Sequence, residues 1–154
     1  MSYRIEGLAA QQFAHLYGLS EAELFSRGVL RVTADGPGFP CRITLEEAEP
    51  GTQLLLLNHV SQPLDTPFRS SHAIYVTEGA EEAASFVDEP PPVMRTRALS
   101  LRGFDYHGML KACLLAMPGE ADLRIRDMLK DQDVAEIHAH NAAAGCFSAR
   151  IVRD

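Results

Sequence analysis

The segment from Ala135 to Ile151 alternates polar and apolar residues with a period of two on both sides of a short loop that contains Gly145. This alternation is typical of a two-stranded hairpin, because successive side chains of a strand point to opposite faces. Pairing the two halves about the loop predicts a polar face with three opposed pairs: His140 and Cys146, His138 and Ser148, Glu136 and Arg150. The remaining positions predict an apolar face that packs on a core, made of Ala135, Ile137, Ala139, Phe147, Ala149 and Ile151. The hairpin therefore predicts a candidate site, but it does not name a reaction.

Other segments show the patterns of short strands and helices separated by glycine and proline. Strands are predicted over residues 3–8, 29–33, 41–45, 53–59, 70–77, 96–104 and 109–117, and helices over 9–17, 20–27 and 118–130. Four consecutive leucines, Leu54–Leu57, predict a strand that is buried on both faces and central in its sheet. The acidic stretch over 78–92 predicts an exposed connection.

These elements predict one α+β domain over residues 1–154, built on a mixed, largely antiparallel sheet with two or three helices packed on one face. The helix over 118–130 is long enough to be a crossover connection, which predicts that strands 109–117 and 134–140 are parallel neighbours. Alternation over 41–45 also predicts that Cys41 points into the core and that Arg42 points away from it.

The charge of the chain argues against a nucleic-acid partner. The formal net charge is −7, and no run of lysine and arginine supplies the basic face that phosphate binding needs. The 3 cysteines include no Cys-x-x-Cys pair, which favours a reducing compartment. No apolar stretch is long enough for a signal peptide or a membrane span, so we expect a cytoplasmic protein without a membrane partner.

The pattern His138-x-His140 on a strand places two imidazoles on one face, where both can reach one zinc or iron ion. His-x-His in the cupin metalloproteins is followed within a few residues by a glutamate, whereas this chain has alanines and Gly145 there. A third ligand would come from His72, His59 or Cys146. The alternative is a hydrogen-bonded or surface histidine pair, so the cofactor stays open.

Cys146 is the candidate nucleophile of the hairpin. His140 across the hairpin would act as its general acid and base, and Asn141 would orient the imidazole. These assignments predict His140 and Cys146 as catalytic residues. The alternative is a half-buried cysteine that only packs.

Arginines beside the hairpin predict a site for a small anion, because guanidinium groups bind carboxylate and phosphate through paired N–H groups. The predicted ligand-binding residues are Arg42, His72, His138, Asn141 and Arg150, and further arginine candidates are Arg69 and Arg102. The alternative is that Arg150 pairs with Glu136 across the hairpin and that the other arginines are surface ions.

Several ordered segments together resemble a bacterial family known as domain of unknown function 1203. They are Gly38-Phe39-Pro40-Cys41-Arg42, Glu49-Pro50-Gly51, Leu54-Leu55-Leu56-Leu57-Asn58, Thr66-Pro67-Phe68-Arg69, His140-Asn141 and Gly145-Cys146. The resemblance covers nearly the whole chain and implies a compact bacterial protein. It transfers no catalytic role to any residue.

Two functional hypotheses follow from the sequence. The first is a protein or enzyme that binds a small anionic metabolite in a pocket of histidine, cysteine and arginine side chains on the C-terminal hairpin. The second is a non-catalytic structural or interaction protein that forms a homodimer, with the polar hairpin as a solvated sheet face. The sequence leaves enzymatic activity open.

Overall fold

The structure is a computed structural model that describes residues 1–154, and it contains two antiparallel β-sheets. The strands are β1 (Tyr3–Glu6), β2 (Leu30–Thr33), β3 (Gln53–Gln62), β4 (Ser70–Thr77), β5 (Ser85–Val87), β6 (Leu99–Phe104), β7 (Leu110–Ala116), β8 (Glu136–Asn141) and β9 (Phe147–Arg153). The helices are α1 (Glu21–Ser26), α2 (Pro92–Arg95) and α3 (Ala121–Met128), with 3-10 turns at Ala10–Gln12 and Ala14–Leu16.

The larger sheet has the strand order β5-β1-β9-β8-β6-β7, and the smaller sheet has the order β2-β3-β4. The leucine-rich strand β3 is central in the smaller sheet, as its sequence predicts. Both β7 and β8 are antiparallel to β6, which lies between them. They therefore run parallel to each other, but the prediction that they are neighbours is wrong, because the crossover through α3 spans the intervening β6.

The helices cover two separate cores, so the expected layer of helices on one face of one sheet is divided. In the larger sheet, Ile125 and Met128 of α3 pack on a cluster that includes Ile137 and Ile151. In the smaller sheet, the N-terminal helical segment packs Phe13 and other apolar residues on Leu55 and its neighbours. The α+β class is confirmed in this broader form. None of the helices combines the length and apolar character needed to cross a bilayer.

The segment 41–45 forms a turn and not the predicted strand. The backbone N–H of Leu45 donates to the carbonyl of Cys41, and Leu45 has a φ of 56°. Because a turn does not alternate its side chains, Arg42 points inward and is only 3% exposed. The prediction that Arg42 points away from the core is therefore wrong.

The acidic stretch is more structured than its charge pattern predicts. Ser85–Val87 forms β5, which pairs with β1 at the edge of the larger sheet. The triple-proline segment then leads directly into α2, where Pro92 occupies the first turn of the helix. Proline is tolerated there because the first backbone N–H groups of a helix have no intrahelical partner.

Candidate functional site

The hairpin of β8 and β9 has a register different from the predicted one. Ile137 lies opposite Ile151 and Ala139 opposite Ala149, but the register then shifts, so that His140 lies opposite Phe147. His138 lies opposite Arg150. All three predicted opposed pairs are therefore wrong in register, although the side chains of Glu136 and Arg150 still meet in a salt bridge. The shift adds one residue to β9, as in a β-bulge, and it turns Phe147 onto the face that carries the histidines. The prediction that Phe147 belongs to the apolar face is therefore wrong.

The face of the larger sheet that carries these histidines packs against the smaller sheet. We call the contact the histidine layer; it consists of His59, His72, His138, His140 and Phe147. The ring centroids of His72 and His140 are 4.8 Å apart, and Phe147 lies 5.6 Å from His138 and 5.8 Å from both His59 and His140. His138 and His140 are 2% and 1% exposed, so these rings fill the space between the sheets.

Hydrogen bonds hold the two strand histidines of β8 in place. His140 Nδ1 is 2.9 Å from the carbonyl oxygen of Gly145, and burial lowers the pKa of His140 to about 4. His138 Nε2 is 2.8 Å from a carboxylate oxygen of Glu136. This bond, together with Arg150, lowers the pKa of Glu136 to about 2. The imidazole of His140 is therefore a neutral packing group at pH 7.

The metal hypothesis receives no support from this arrangement. One nitrogen of His138 faces Glu136 and one nitrogen of His140 faces Gly145, while the Nδ1 atoms of His138 and His72 are buried without a hydrogen-bond partner. No three histidine, cysteine, aspartate or glutamate side chains come together as a set of metal ligands.

A cavity of about 470 Å³ lies at the loop end of the hairpin. It is formed by the turn after Gly38, the edge of β4, the segment before β6 and the hairpin loop. We call it the Arg42 pocket. Its lining residues are Gly38, Pro40, Arg42, Ala73, Tyr75, Arg97, Ala98, Asn141, Ala143, Ala144 and Cys146.

Arg42 is the buried charge of this pocket. Its Nε donates to the carbonyl oxygen of Phe147 at 2.8 Å, and its Nη1 donates to the carbonyl oxygen of Pro40 at 2.7 Å. Its Nη2 donates to Cys146 Sγ at 3.2 Å. None of these partners is a carboxylate, and burial lowers the pKa of the guanidinium from its usual value.

Cys146 lies beside Arg42 and Asn141 and is not paired with His140. Asn141 Nδ2 donates to Cys146 Sγ at 3.4 Å, and the backbone N–H of Asn141 donates to the carbonyl of Cys146. Asn141 Oδ1 is buried without a partner. The sulfur is half-buried and accepts two N–H donors. The sulfur therefore lies within hydrogen-bonding distance of one cationic and one neutral N–H donor.

Arg97 is the second cation of the pocket, and it is not among the arginines that the sequence predicts as ligand-binding residues. It forms a salt bridge with Glu47 and donates to the carbonyl oxygen of Val93 at 2.8 Å. The charge of Arg97 is therefore already paired within the protein. Neither Arg97 nor Tyr75 belongs to a local motif, and only the packing of four distant chain segments brings them to the pocket.

The remaining arginine candidates lie outside the pocket. Arg150 is exposed and forms salt bridges with Glu136 at 2.6 Å and with Glu6 at 3.3 Å, as the alternative interpretation predicts for Glu136. Arg69 is exposed, and Arg102 donates to Ser100 Oγ. The structure therefore groups Arg42, Asn141 and Cys146, and it places His72, His138 and His140 in the histidine layer.

Comparison with known proteins agrees with the resemblance seen in the sequence. Residues 38–153 match the family described as "Protein of unknown function (DUF1203)". Curated proteins and solved structures gave no match to the chain. The matched range includes every residue that lines the Arg42 pocket. The chain belongs to the DUF1203 family.

Proposed function

We propose that the protein binds a small anionic metabolite in the Arg42 pocket. The observation that carries the proposal is the guanidinium of Arg42, a residue only 3% exposed, which borders a cavity and has no carboxylate among its hydrogen-bond partners. A buried cation loses much of its hydration, and an anion beside it offsets that loss. The anion is the missing partner of this charge.

The guanidinium also retains hydrogen-bonding capacity. Arginine carries five N–H bonds, and the protein accepts one from each of the three nitrogens of Arg42. Each of the two terminal nitrogens therefore keeps a further N–H for a ligand. In a molecule of net charge −7, this pocket is a local positive site.

Cys146 is the proposed reactive group if the protein is an enzyme. It shares Arg42 with the bound anion, so the ligand lies next to the sulfur. His140 is a positioning residue in this proposal, because its ring nitrogen holds the carbonyl of Gly145, the residue before Cys146. In this proposal the side chains that contact the sulfur of Cys146 are Arg42 and Asn141, and no histidine acts as its base.

The proposal is tested by titrating the protein with formate, acetate, benzoate, phenyl phosphate, inorganic phosphate and sulfate. The readout is the ¹H–¹⁵N spectrum, with the side-chain amide of Asn141 and the backbone amides of residues 141–146 as reporters. We expect at least one anion to shift these signals saturably in the native protein and in Arg69→Gln, but not in Arg42→Gln. If no anion of the panel shifts them, the proposal is wrong.

A second candidate function, a homodimeric interaction protein, is supported by the edge strand β7. Its outer backbone edge is unpaired, and Leu115 and Met117 are 57% and 50% exposed beside the exposed Cys113. Two copies of such an edge can pair about a two-fold axis. Light scattering measures the mass of the protein in solution, and a dimer that Leu115→Glu converts to a monomer would support this function.

A further inference from the structure

We infer that the ligand of the Arg42 pocket is a monocarboxylate with a compact apolar body. The inference rests on the proposed function and names the class of metabolite. It draws on three features of the pocket: its net charge, the hydrogen bonds still free on Arg42, and the small apolar side chains of its walls.

The charge of the pocket matches one negative charge. Two arginines line it, but Arg97 is paired with Glu47, so Arg42 is the uncompensated cation. A phosphate monoester carries about −1.5 to −2 charges at pH 7. Phosphate sites are commonly built on helix N-termini or glycine-rich loops, whereas no lining residue belongs to a helix. The pocket therefore favours a carboxylate over a phosphate.

The remaining N–H groups of Arg42 fit the same ligand. One is free on Nη1 and one on Nη2, because each terminal nitrogen donates one bond within the protein. A carboxylate has two oxygens and can accept one bond from each nitrogen. A single carboxylate thus completes the hydrogen bonding of the guanidinium without a second cation.

The walls of the pocket are apolar and small. Four alanines contribute, Ala73, Ala98, Ala143 and Ala144, together with Gly38 and Pro40. The volume of about 470 Å³ lies in the lower half of the range of ligand pockets, about 300–1,000 Å³. These walls offer contact to an apolar group. Apart from the two arginines, the lining side chains that can hydrogen-bond are Tyr75, Asn141 and Cys146, so a highly hydroxylated ligand would leave much of its polar surface unpaired.

Benzoate, benzamide, phenyl phosphate and acetate separate the contributions of charge and of the apolar body. Benzamide keeps the ring without the charge, phenyl phosphate keeps the ring with more charge, and acetate keeps the charge without the ring. In the ¹H–¹⁵N spectra of the native protein, with Asn141 as reporter, we expect benzoate to bind at least about tenfold more tightly than each of the other three.

Because Arg42→Gln removes buried hydrogen bonds and can fail to fold, Ala144→Leu provides a second variant. The larger side chain fills the apolar part of the pocket and leaves Arg42 unchanged. We expect it to weaken benzoate at least about tenfold while acetate binding is retained. The matched control is Ala22→Leu on the exposed face of α1, which should bind benzoate like the native protein.

The outcomes separate this inference from the proposed function. If phenyl phosphate binds as tightly as benzoate, anion binding stands and the monocarboxylate class is overturned. If acetate binds as tightly as benzoate, the monocarboxylate class stands and the apolar body is overturned. Benzoate binding that survives Ala144→Leu unchanged overturns the inference about the apolar body alone. If benzamide binds as tightly as benzoate, or if none of the anions binds, the proposed function is also wrong.

Discussion

The Arg42 pocket and the histidine layer both include residues of the β8–β9 hairpin, yet their polar groups have different surroundings. In the histidine layer, rings from both sheets fill the space, and His140 stays neutral because burial lowers its pKa to about 4. In the Arg42 pocket, a guanidinium borders open space, although only 3% of the residue is exposed. His138, His140 and Phe147 are at most 2% exposed, whereas the pocket has both room and charge.

The difference shows that a cluster of chemically versatile side chains is not by itself a site. The histidines have the residue types of a metal or catalytic centre, but their rings pack against Phe147 and against one another. The pocket has fewer titratable groups, and its alanine side chains leave a cavity beside Arg42. Empty space next to an uncompensated charge is therefore the better guide to ligand binding here.

The largest expected effect is in the histidine layer. Phe147→Ala should lower the free energy of unfolding by about 3–5 kcal/mol, because it leaves a cavity among three histidine rings. Its sequence neighbour Cys146 lines the pocket. Cys146→Ala should lower the free energy of unfolding by less than about 1 kcal/mol. Urea unfolding of both variants measures the contrast. Equal losses in the two variants would contradict the separation of layer and pocket.

The second effect is a loss of stability in mild acid. The pKa of His140 is about 4 in the folded protein and 6.5 when unperturbed, so the unfolded state binds the extra proton as the pH falls below 6.5. Protonation of His140 should lower the free energy of unfolding by about 2 kcal/mol between pH 7 and pH 5. This loss should level off below about pH 4. Urea unfolding at both pH values measures the loss.

Two variants make the pH prediction specific. His140→Gln should reduce the loss, whereas the exposed His107→Gln should show the pH dependence of the native protein. Glu136 affects stability at lower pH, because its pKa is about 2 in the folded protein and 4.5 ordinarily. Its contribution to the free energy of unfolding is present above pH 4.5 and is lost as the pH falls below that value. If His140→Gln and the native protein respond alike above pH 5, His140 is not the source.

The smallest effect is expected at Arg150, which lies opposite His138 on the same face of the hairpin but is exposed to solvent. Arg150→Gln removes salt bridges to Glu136 and Glu6, but the Arg150 side chain is 45% exposed and its charge is screened by water. The free energy of unfolding should fall by less than about 1 kcal/mol, with binding in the Arg42 pocket unchanged. Urea unfolding and the benzoate titration measure the two quantities, and a loss above about 2 kcal/mol would show a buried role for this arginine.

Local patterns predicted much of the secondary structure. Ser20 and Glu23 form a capping box at the start of the helix predicted over 20–27, and strands β3 and β4 lie where alternation and leucine content place them. The turn at 41–45 was missed, because its sequence alternates like a strand. Hydrogen bonds to distant residues decide its conformation, including the bond from the Arg42 backbone N–H to the carbonyl of Tyr75.

The candidate site was predicted only in part. The sequence selected Arg42 and Asn141 as ligand-binding residues and Cys146 as a nucleophile. It paired Cys146 with His140, because pattern alone cannot reveal a shift of one residue in the register. Arg97 and the alanine walls were not selected, since small side chains and a solitary arginine carry no local signal.

The sequence by itself determined the α+β class, the position of most strands, the hairpin and its apolar face except Phe147, because these follow from the spacing of apolar residues along one segment. The tertiary structure decided which polar groups became buried, which became exposed and where a cavity remained. Register, the stacking of the two sheets and the turn at 41–45 depend on contacts between residues far apart in the chain. Those contacts placed the histidines in a packed layer and Arg42 beside open space.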